Sequence, residues 1–317
     1  MTLIGRVEIV ELITGIDKIE DRHAPSVVSI GNYDGVHRGH QFVIKTLIAH
    51  SQRLQAPATV ITFEPLAKEF FAPGSVERIT TIEERAQRLF ELGVERVLCI
   101  PFDTDFAAYS PEGFVNDVLL DGLGVRHVCV GDDFRFGKAR AGDFDLLQRI
   151  GRDAGFEVSA HETFELAGCR VSSGRIRTAL IAGDFELAER LLGRPYTIQG
   201  KVQVGQQLGR TLAFPTANIV LPEMVLPVDG VYAVSTRVQG AEVAGVANVG
   251  RRPTVDGKEN RLEVHLFDFD ADIYGQNIEV RFVAKLREEV RFDSVDQLKA
   301  QIQRDARAAR KIFAEMR

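Results

Sequence analysis

The chain has 317 residues, 45% of them hydrophobic and 26% charged, with 39 basic against 45 acidic side chains and a net charge of −6. That is apolar material for one large core or two ordinary ones, with no need of a disulfide or metal on grounds of size, and its acidic balance weighs against a general nucleic-acid binder. No apolar run reaches the ~18 residues of a membrane span, and the start MTLIGRVEIVELI carries acids where a secretion signal needs an unbroken apolar stretch.

From about residue 25 to 190, short apolar runs alternate with amphipathic ones. Strands are expected at 27–30 (VVSI), 58–63 (ATVITF), 96–102 (RVLCIPF) and 127–131 (HVCVG). Cys99 and Cys129 fall inside two of them. With Cys169 they make an odd number and no CxxC pair, so all three read as reduced thiols of a cytoplasmic protein. Helices are expected over QFVIKTLIAHSQRL, from the capping box Thr81-Ile82-Glu83-Glu84 to Gly93, after Ser110-Pro111, and over 144–154. Strand and helix in alternation predict a parallel sheet with helices on its faces.

After Gly193-Arg194-Pro195 the period changes. YTIQGKVQVG, GVYAVSTRVQG, AEVAGVANVG, RLEVHLFDF and NIEVRFVAKL are short and valine-rich, and glycines separate them. They predict an antiparallel sheet closed into a barrel. A final helix is expected from a second capping box, Ser294-Val295-Asp296-Gln297, to about Met316, with Leu298, Ile302, Ala306, Ala309 and Phe313 toward the barrel. The boundary falls within 184–195, dividing the chain into 1–186 and 187–317.

The stretch SIGNYDGVHRGH (29–40) leaves the first of these strands and enters a helix. A junction of that kind is where α/β folds bind ligands, and the N–H groups of the helix start favour an anion. Gly31, Gly35 and Gly39 permit tight turns and close approach of the backbone, and His37 and His40 can donate to phosphate oxygens. The segment is neither a Walker A loop nor GxGxxG. Spacing alone leaves two other readings: a metal pair, for which no third ligand stands nearby, or the polar first turn of an exposed helix.

GVHRGH resembles the HxGH motif of the nucleotidyltransferases, which transfer a nucleotide from an NTP and release pyrophosphate. SSGRIRTAL (172–180) fits the second motif of that superfamily, and VGDDFRFGKARAGD (130–143) and TFEPLAKEFF (62–71) resemble segments of the bacterial bifunctional riboflavin kinase/FMN adenylyltransferase family. Leu66 and Ala67 depart from the His-Pro that often follows FEP there, and Gly174 stands where Thr is common. The resemblance implies a Rossmann-like domain that makes FAD from FMN and ATP. It implies catalysis by His37 and His40, ATP contacts from Gly31, Gly39, Ser173, Arg175 and Arg177, and a flavin site at Asp133, Phe134, Arg135 and Phe136.

Composition alone would call the second half a small barrel with a helix. Within GQQLGRTLAFPTANI (205–219), Thr216 and Asn218 offer two oxygen ligands on one side of an extended segment, which suits Mg²⁺, although on these residues alone a turn beside a barrel strand is the simpler reading. This stretch resembles the PTAN motif of flavokinases, with Ala213 where Gly is common, and GVYAV, GVANVGRRPTV and NRLEVHLFDF match further parts of that domain. The match implies that Gly205, Gly209, Arg210, Thr216 and Asn218 bind Mg-ATP and that Glu263 is the general base for the riboflavin 5′-hydroxyl. In RLEVHLFDF, Leu262, Val264 and Leu266 share one strand face while Glu263 and His265 share the other. The implied partners are riboflavin, FMN and ATP, with no nucleic acid or membrane; a homo-oligomer is left open.

Overall fold

The computed structural model describes residues 10–131, 133–203, 214–221, 224–254 and 257–316, with the backbone alone at 251–254 and 257–259. The chain forms two compact units that meet in sequence at 173/174.

The first unit runs β1 (Glu11–Thr14), β2 (Ser26–Ile30), α1 (Arg38–Leu54), β3 (Ala58–Glu64), α2 (Ala67–Phe71), α3 (Ile82–Glu91) and β4 (Arg96–Pro101). It continues through α4 (Thr104–Ala107), α5 (Pro111–Gly113), a π-helical stretch Phe114–Gly122, β5 (Val125–Gly131), β6 (Arg135–Phe136), β7 (Gly142–Asp143), α6 (Phe144–Ala154), β8 (Glu157–His161), β9 (Glu165–Leu166) and β10 (Cys169–Arg170). Six strands form one sheet in the order β1-β4-β3-β2-β5-β8, parallel throughout.

Both faces of this sheet are covered, which is why its strands read as continuous apolar runs. Val27, Val60 and Val97 pack under Ile44 and Leu47 of α1 and Leu89 of α3. Val28, Leu98 and Val130 point the other way, into Val115, Val118 and Leu119 of the π-helical stretch and Leu147 of α6. The α3 capping box forms: Glu84 N donates to Thr81 Oγ1 at 3.1 Å and Thr81 N to Glu84 Oε2 at 3.0 Å. After Ser110-Pro111 the expected helix starts, with Gly113 N donating to Ser110 Oγ at 2.9 Å, but widens into π geometry from Phe114. The edge strands β1 and β8 and the two small hairpins β6–β7 and β9–β10 were not expected; they are too short or too polar to show a period.

The second unit holds α7 (Ser173–Ile181), whose first residue closes the first unit, then α8 (Phe185–Leu192), β11 (Thr197–Gln203), β12 (Ala217–Val220), β13 (Gly230–Val238), β14 (Ala241–Thr254), β15 (Gly257–Leu266), β16 (Asn277–Arg287) and α9 (Val295–Glu315). The six strands close a barrel in the order β11-β12-β15-β14-β13-β16, every neighbour antiparallel. Phe185 of α8 packs against Tyr196, Tyr232 and Phe282, which ties that helix to the barrel.

In α9, Ala306, Ala309 and Phe313 pack on the barrel as their spacing suggests, whereas Leu298 and Ile302 lie outside that cluster. The helix is also held by a polar tie that periodicity does not show: Asp305, 5% exposed, accepts from Arg287 Nη2 at 2.8 Å and from Gln301 at 2.7 Å. The expected second capping box is only half formed. Gln297 N donates to Ser294 Oγ at 3.2 Å, but the Gln297 side chain accepts from Asp293 N instead of Ser294 N.

Candidate functional site

Strand β2 pairs with β3 on one side and β5 on the other, so the chain leaves β2 at the point where the sheet order reverses. Ligands of open α/β sheets bind at that crevice. The loop from Gly31 to Val36 turns there through three left-handed residues, Tyr33 (φ 51°), Gly35 (φ 84°) and Val36 (φ 40°). Only the glycine suits that region; the other two are held there by their surroundings.

His37 is the N-cap of α1, and its Nδ1 accepts from His40 N at 3.2 Å. A neutral ring that accepts at Nδ1 carries its proton on Nε2, which makes Nε2 a donor. The two imidazoles stack with centroids 3.6 Å apart. Gly39 permits this: a Cβ there would stand 3.1 Å from the His37 ring and 3.4 Å from the Val171 carbonyl. Two stacked rings, one of them bonded to the backbone, do not converge on a single ion, so the metal-pair reading has no support in this geometry.

His37, Gly39 and His40 line a cavity of ≈ 400 Å³ together with Gly31, Asn32, Asp133, His161, Arg170 and Ser173. Arg170 Nη2 bonds Asp133 Oδ2 at 3.1 Å across its rim. Ser173 Oγ donates to the Asp34 carbonyl at 2.9 Å, which joins the second motif to the first. Arg175 and Arg177 lie half-buried on α7, in the second unit.

A second cavity, of ≈ 590 Å³, is aromatic: Phe63, Phe71, Phe102, Phe106, Tyr109, Phe114, Phe134 and Phe136 line it, with Lys68, Arg135 and Arg140. It shares Ile30, Gly31, Asn32, Phe134, Arg135 and Arg140 with the histidine cavity. The sequence-expected Phe134 and Phe136 are stacked at 5.3 Å, while Arg135 pairs with Asp143 at 2.7 Å. Phe63, Phe102, Phe106, Tyr109 and Phe114 were not foreseen. Their signals were the 20 phenylalanines against 5 tyrosines and no tryptophan, and the 4-then-3 spacing of Phe102, Phe106 and Tyr109. Leu66, 3% exposed, occupies the N-cap position of α2.

Two buried arginines, Arg78 and Arg85, form an ionic group with the partly exposed Glu64 and Glu69. Arg78, 4% exposed, donates to Glu64 at 2.6 and 2.9 Å and to Glu69 at 2.7 Å. Arg85 is fully buried and donates to Thr62 Oγ1 at 3.0 Å; burial lowers its pKa, and the charges of Asp34 and Glu64 oppose that.

In the barrel, Thr216 and Asn218 line a cavity of ≈ 460 Å³ with Val264, Leu266, Asp270, Asp272 and Tyr274. The His265 Nδ1–H donates to the Pro215 carbonyl at 2.9 Å, fixing the segment before β12. Glu263 stands opposite Asn218 in one neighbouring strand and Asn248 in the other. Leu262, Val264 and Leu266 are buried and Glu263 is half-exposed, as the alternation requires. Its carboxylate lies 3.5 Å from Arg261 and is not part of the cavity wall. Gly205, Gly209 and Arg210, with Ala213, lie outside the described residues.

One further cluster, His50, His127 and Cys129, brings three candidate ligand atoms within 4.8 Å of one another. Both imidazoles, however, turn Nδ1 toward the Arg53 guanidinium (3.4 and 3.5 Å), and the rings stack at 3.9 Å. Burial raises the Cys129 thiol to about 11. A fixed cation beside stacked rings and a protonated thiol opposes a metal ion there. Among the described residues, no helix is long and apolar enough to cross a membrane.

A family model described as FAD synthetase matches residues 19–175, and one described as riboflavin kinase matches 192–313. The chain is 47% identical over 306 residues to a bifunctional riboflavin kinase/FMN adenylyltransferase of Pseudomonas fluorescens, covering 96% of this chain and 98% of that one. It is 46% identical over 308 residues to the protein so named in Escherichia coli (strain K12), again over 96% and 98% of the two chains. A crystal structure described as a macrolide-efflux protein from Streptococcus pneumoniae superposes with a TM-score of 0.78 at 31% identity, over 95% of this chain and 99% of that one. On this identity and coverage the chain belongs to the family of bifunctional riboflavin kinase/FMN adenylyltransferases.

Proposed function

We propose that this protein phosphorylates riboflavin to FMN in its barrel and adenylylates FMN to FAD in its α/β unit, using ATP in both steps. The observation that carries the second step is the shared wall of the polar histidine cavity and the aromatic cavity at Gly31-Asn32 and Phe134-Arg135. A flat isoalloxazine suits the aromatic walls, a triphosphate suits the histidines and the start of α1, and the FMN phosphate falls between them.

In the adenylyl transfer an FMN phosphate oxygen attacks the α-phosphorus of ATP, the α–β bridging bond breaks, and pyrophosphate leaves. The phosphate is already ionised and needs no general base. The task is to hold two anions together and to stabilise the charge that shifts to the leaving oxygen. His37 Nε2, His40 and the first N–H groups of α1 do this in our reading, with Ser173, Arg175 and Arg177 on the pyrophosphate, Gly31 and Gly39 admitting the nucleotide, and Asp133 to Phe136 against the flavin.

In the barrel, the riboflavin 5′-hydroxyl attacks the γ-phosphorus, its proton passes to Glu263, and ADP leaves. Thr216 and Asn218, in one cavity with Asp270 and Asp272, form an all-oxygen set that fits Mg²⁺. When bound, Mg²⁺ neutralises phosphate charge. Gly205, Gly209 and Arg210 are assigned to ATP on the motif alone. We place the functional boundary at 186/187 and the protein in the cytoplasm, where buried free thiols such as Cys99 stay reduced.

Purified protein with riboflavin, ATP and Mg²⁺, followed by chromatography of the flavins, tests the whole reading. FMN and then FAD are expected; no conversion of riboflavin, FMN or dithionite-reduced flavin would leave only a binding protein.

A further inference from the structure

Asp34 sits within the strained loop that leads to His37, and it is fully buried. Its carboxylate accepts from Ile79 N at 3.1 Å, from Thr80 N at 3.0 Å and from Thr80 Oγ1 at 3.1 Å. Thr80 Oγ1 in turn accepts from Gly35 N at 3.0 Å, and the Asp34 carbonyl accepts from Ser173 Oγ at 2.9 Å. One residue therefore joins the loop after β2, the segment leading into α3, and the serine motif.

Its neighbours show what this junction opposes. Tyr33 at φ 51° and Val36 at φ 40° occupy the left-handed region, and for a β-branched residue that is a true outlier. Such conformations persist only where the surroundings over-determine them. Val36 immediately precedes the N-cap His37, so releasing it would swing the imidazole that orders the start of α1. Arg85, also fully buried, lies close enough for its charge and that of Asp34 to interact.

We propose that Asp34 is a positioning residue for adenylyl transfer: its carboxylate clamps the strained 33–36 turn to Ile79-Thr80 and so sets His37 and His40 in register with the reacting phosphates. This rests on the FAD-forming activity proposed above. None of Asp34, Ile79 and Thr80 lines the aromatic wall, so the clamp should govern turnover more than flavin affinity.

The test uses the full chain. Asp34→Asn keeps the shape but turns an amide toward N–H donors. Thr80→Val removes only the clamp's hydroxyl, and Thr80→Ser restores it. For Asp34→Asn we expect kcat for FAD formation from FMN to fall about tenfold to a hundredfold, with KM for FMN within about threefold. Riboflavin phosphorylation in the same preparation should be unchanged. Thr80→Val should fall in the same direction, Thr80→Ser should recover most of the loss, and Asp34→Asn/Thr80→Val should be no worse than Asp34→Asn alone, because both break one clamp. Wild-type protein that makes no FAD would overturn the activity reading and this inference with it. Active wild type with an unimpaired Asp34→Asn, joint loss of both activities, or equal loss in Thr80→Ser and Thr80→Val would overturn the inference alone.

Discussion

His37 Nδ1 accepts the backbone N–H of His40 at 3.2 Å while the two rings stack at 3.6 Å, so the residue that caps α1 also holds the second imidazole against its own. The pair thereby presents two imidazoles side by side at the positive end of a 17-residue helix.

Replacing His40 with Ala should remove one donor from the transition state without disturbing the cap. We expect FAD formation from FMN to drop about 10²–10³-fold, in the range seen for loss of one such donor. Riboflavin phosphorylation should persist. Flavin chromatography from each starting flavin reads both activities, and their joint loss would point to misfolding.

The barrel should show the converse. Asn218→Ala and Glu263→Ala are each expected to abolish FMN formation and leave FAD synthesis from supplied FMN intact. A Glu263→Ala protein that still phosphorylates riboflavin at the parent rate would remove the general-base role, and the fold gives reason to ask: Glu263 faces Asn218 across the strands but does not line the Thr216–Asn218 cavity.

Phe106 stands at the middle of the aromatic wall, with Phe63 at 5.6 Å, Phe102 at 5.4 Å and Tyr109 at 5.8 Å. Phe106→Ala should raise KM for FMN about tenfold, the worth of one aromatic contact with its burial. KM for ATP should move by less than about twofold. Equal rises in both would place the flavin elsewhere.

Acid stability should depend on Glu11. Its carboxyl is held down to about 2, first by hydrogen bonding to Arg22 and further by His23, with partial burial working against them. A carboxylate with a depressed folded pKa contributes stability above its unfolded value of ~4.3 and loses it as the pH falls toward the folded one. The pair is partly exposed, so screening holds this contribution to about 1 kcal/mol or less. Glu11→Gln should therefore lower the thermal midpoint at pH 7, and the gap to the parent should close between about pH 4.5 and pH 2. A gap that stays constant over that range would rule the linkage out.

Phe282 is 2% exposed and meets Phe185, Tyr196 and Tyr232. Phe282→Ala should cost about 3–5 kcal/mol in the barrel. Denaturant unfolding followed by circular dichroism checks this, and riboflavin phosphorylation should fail at a lower temperature than in the parent.

Much of this molecule follows from local pattern. The runs VVSI, ATVITF and HVCVG had to be buried strands because both sheet faces are covered, and Thr81-x-x-Glu84 had to start a helix because that spacing satisfies two N–H groups at once. The change to alternating, glycine-separated valines announced the barrel, and SIGNYDGVHRGH announced the strand-to-helix junction that carries His37 and His40. Three-dimensional closure supplied the rest. Phe63, Phe102, Phe106 and Phe114 belong to different elements, and only the parallel crossovers bring them to one wall. The ties of Asp34 to Thr80 and of Asp305 to Arg287 join residues 46 and 18 positions apart. Short-range periodicity cannot report such pairs, because a buried hydrogen bond is selected by the shape of the folded interior and leaves no repeat along the chain.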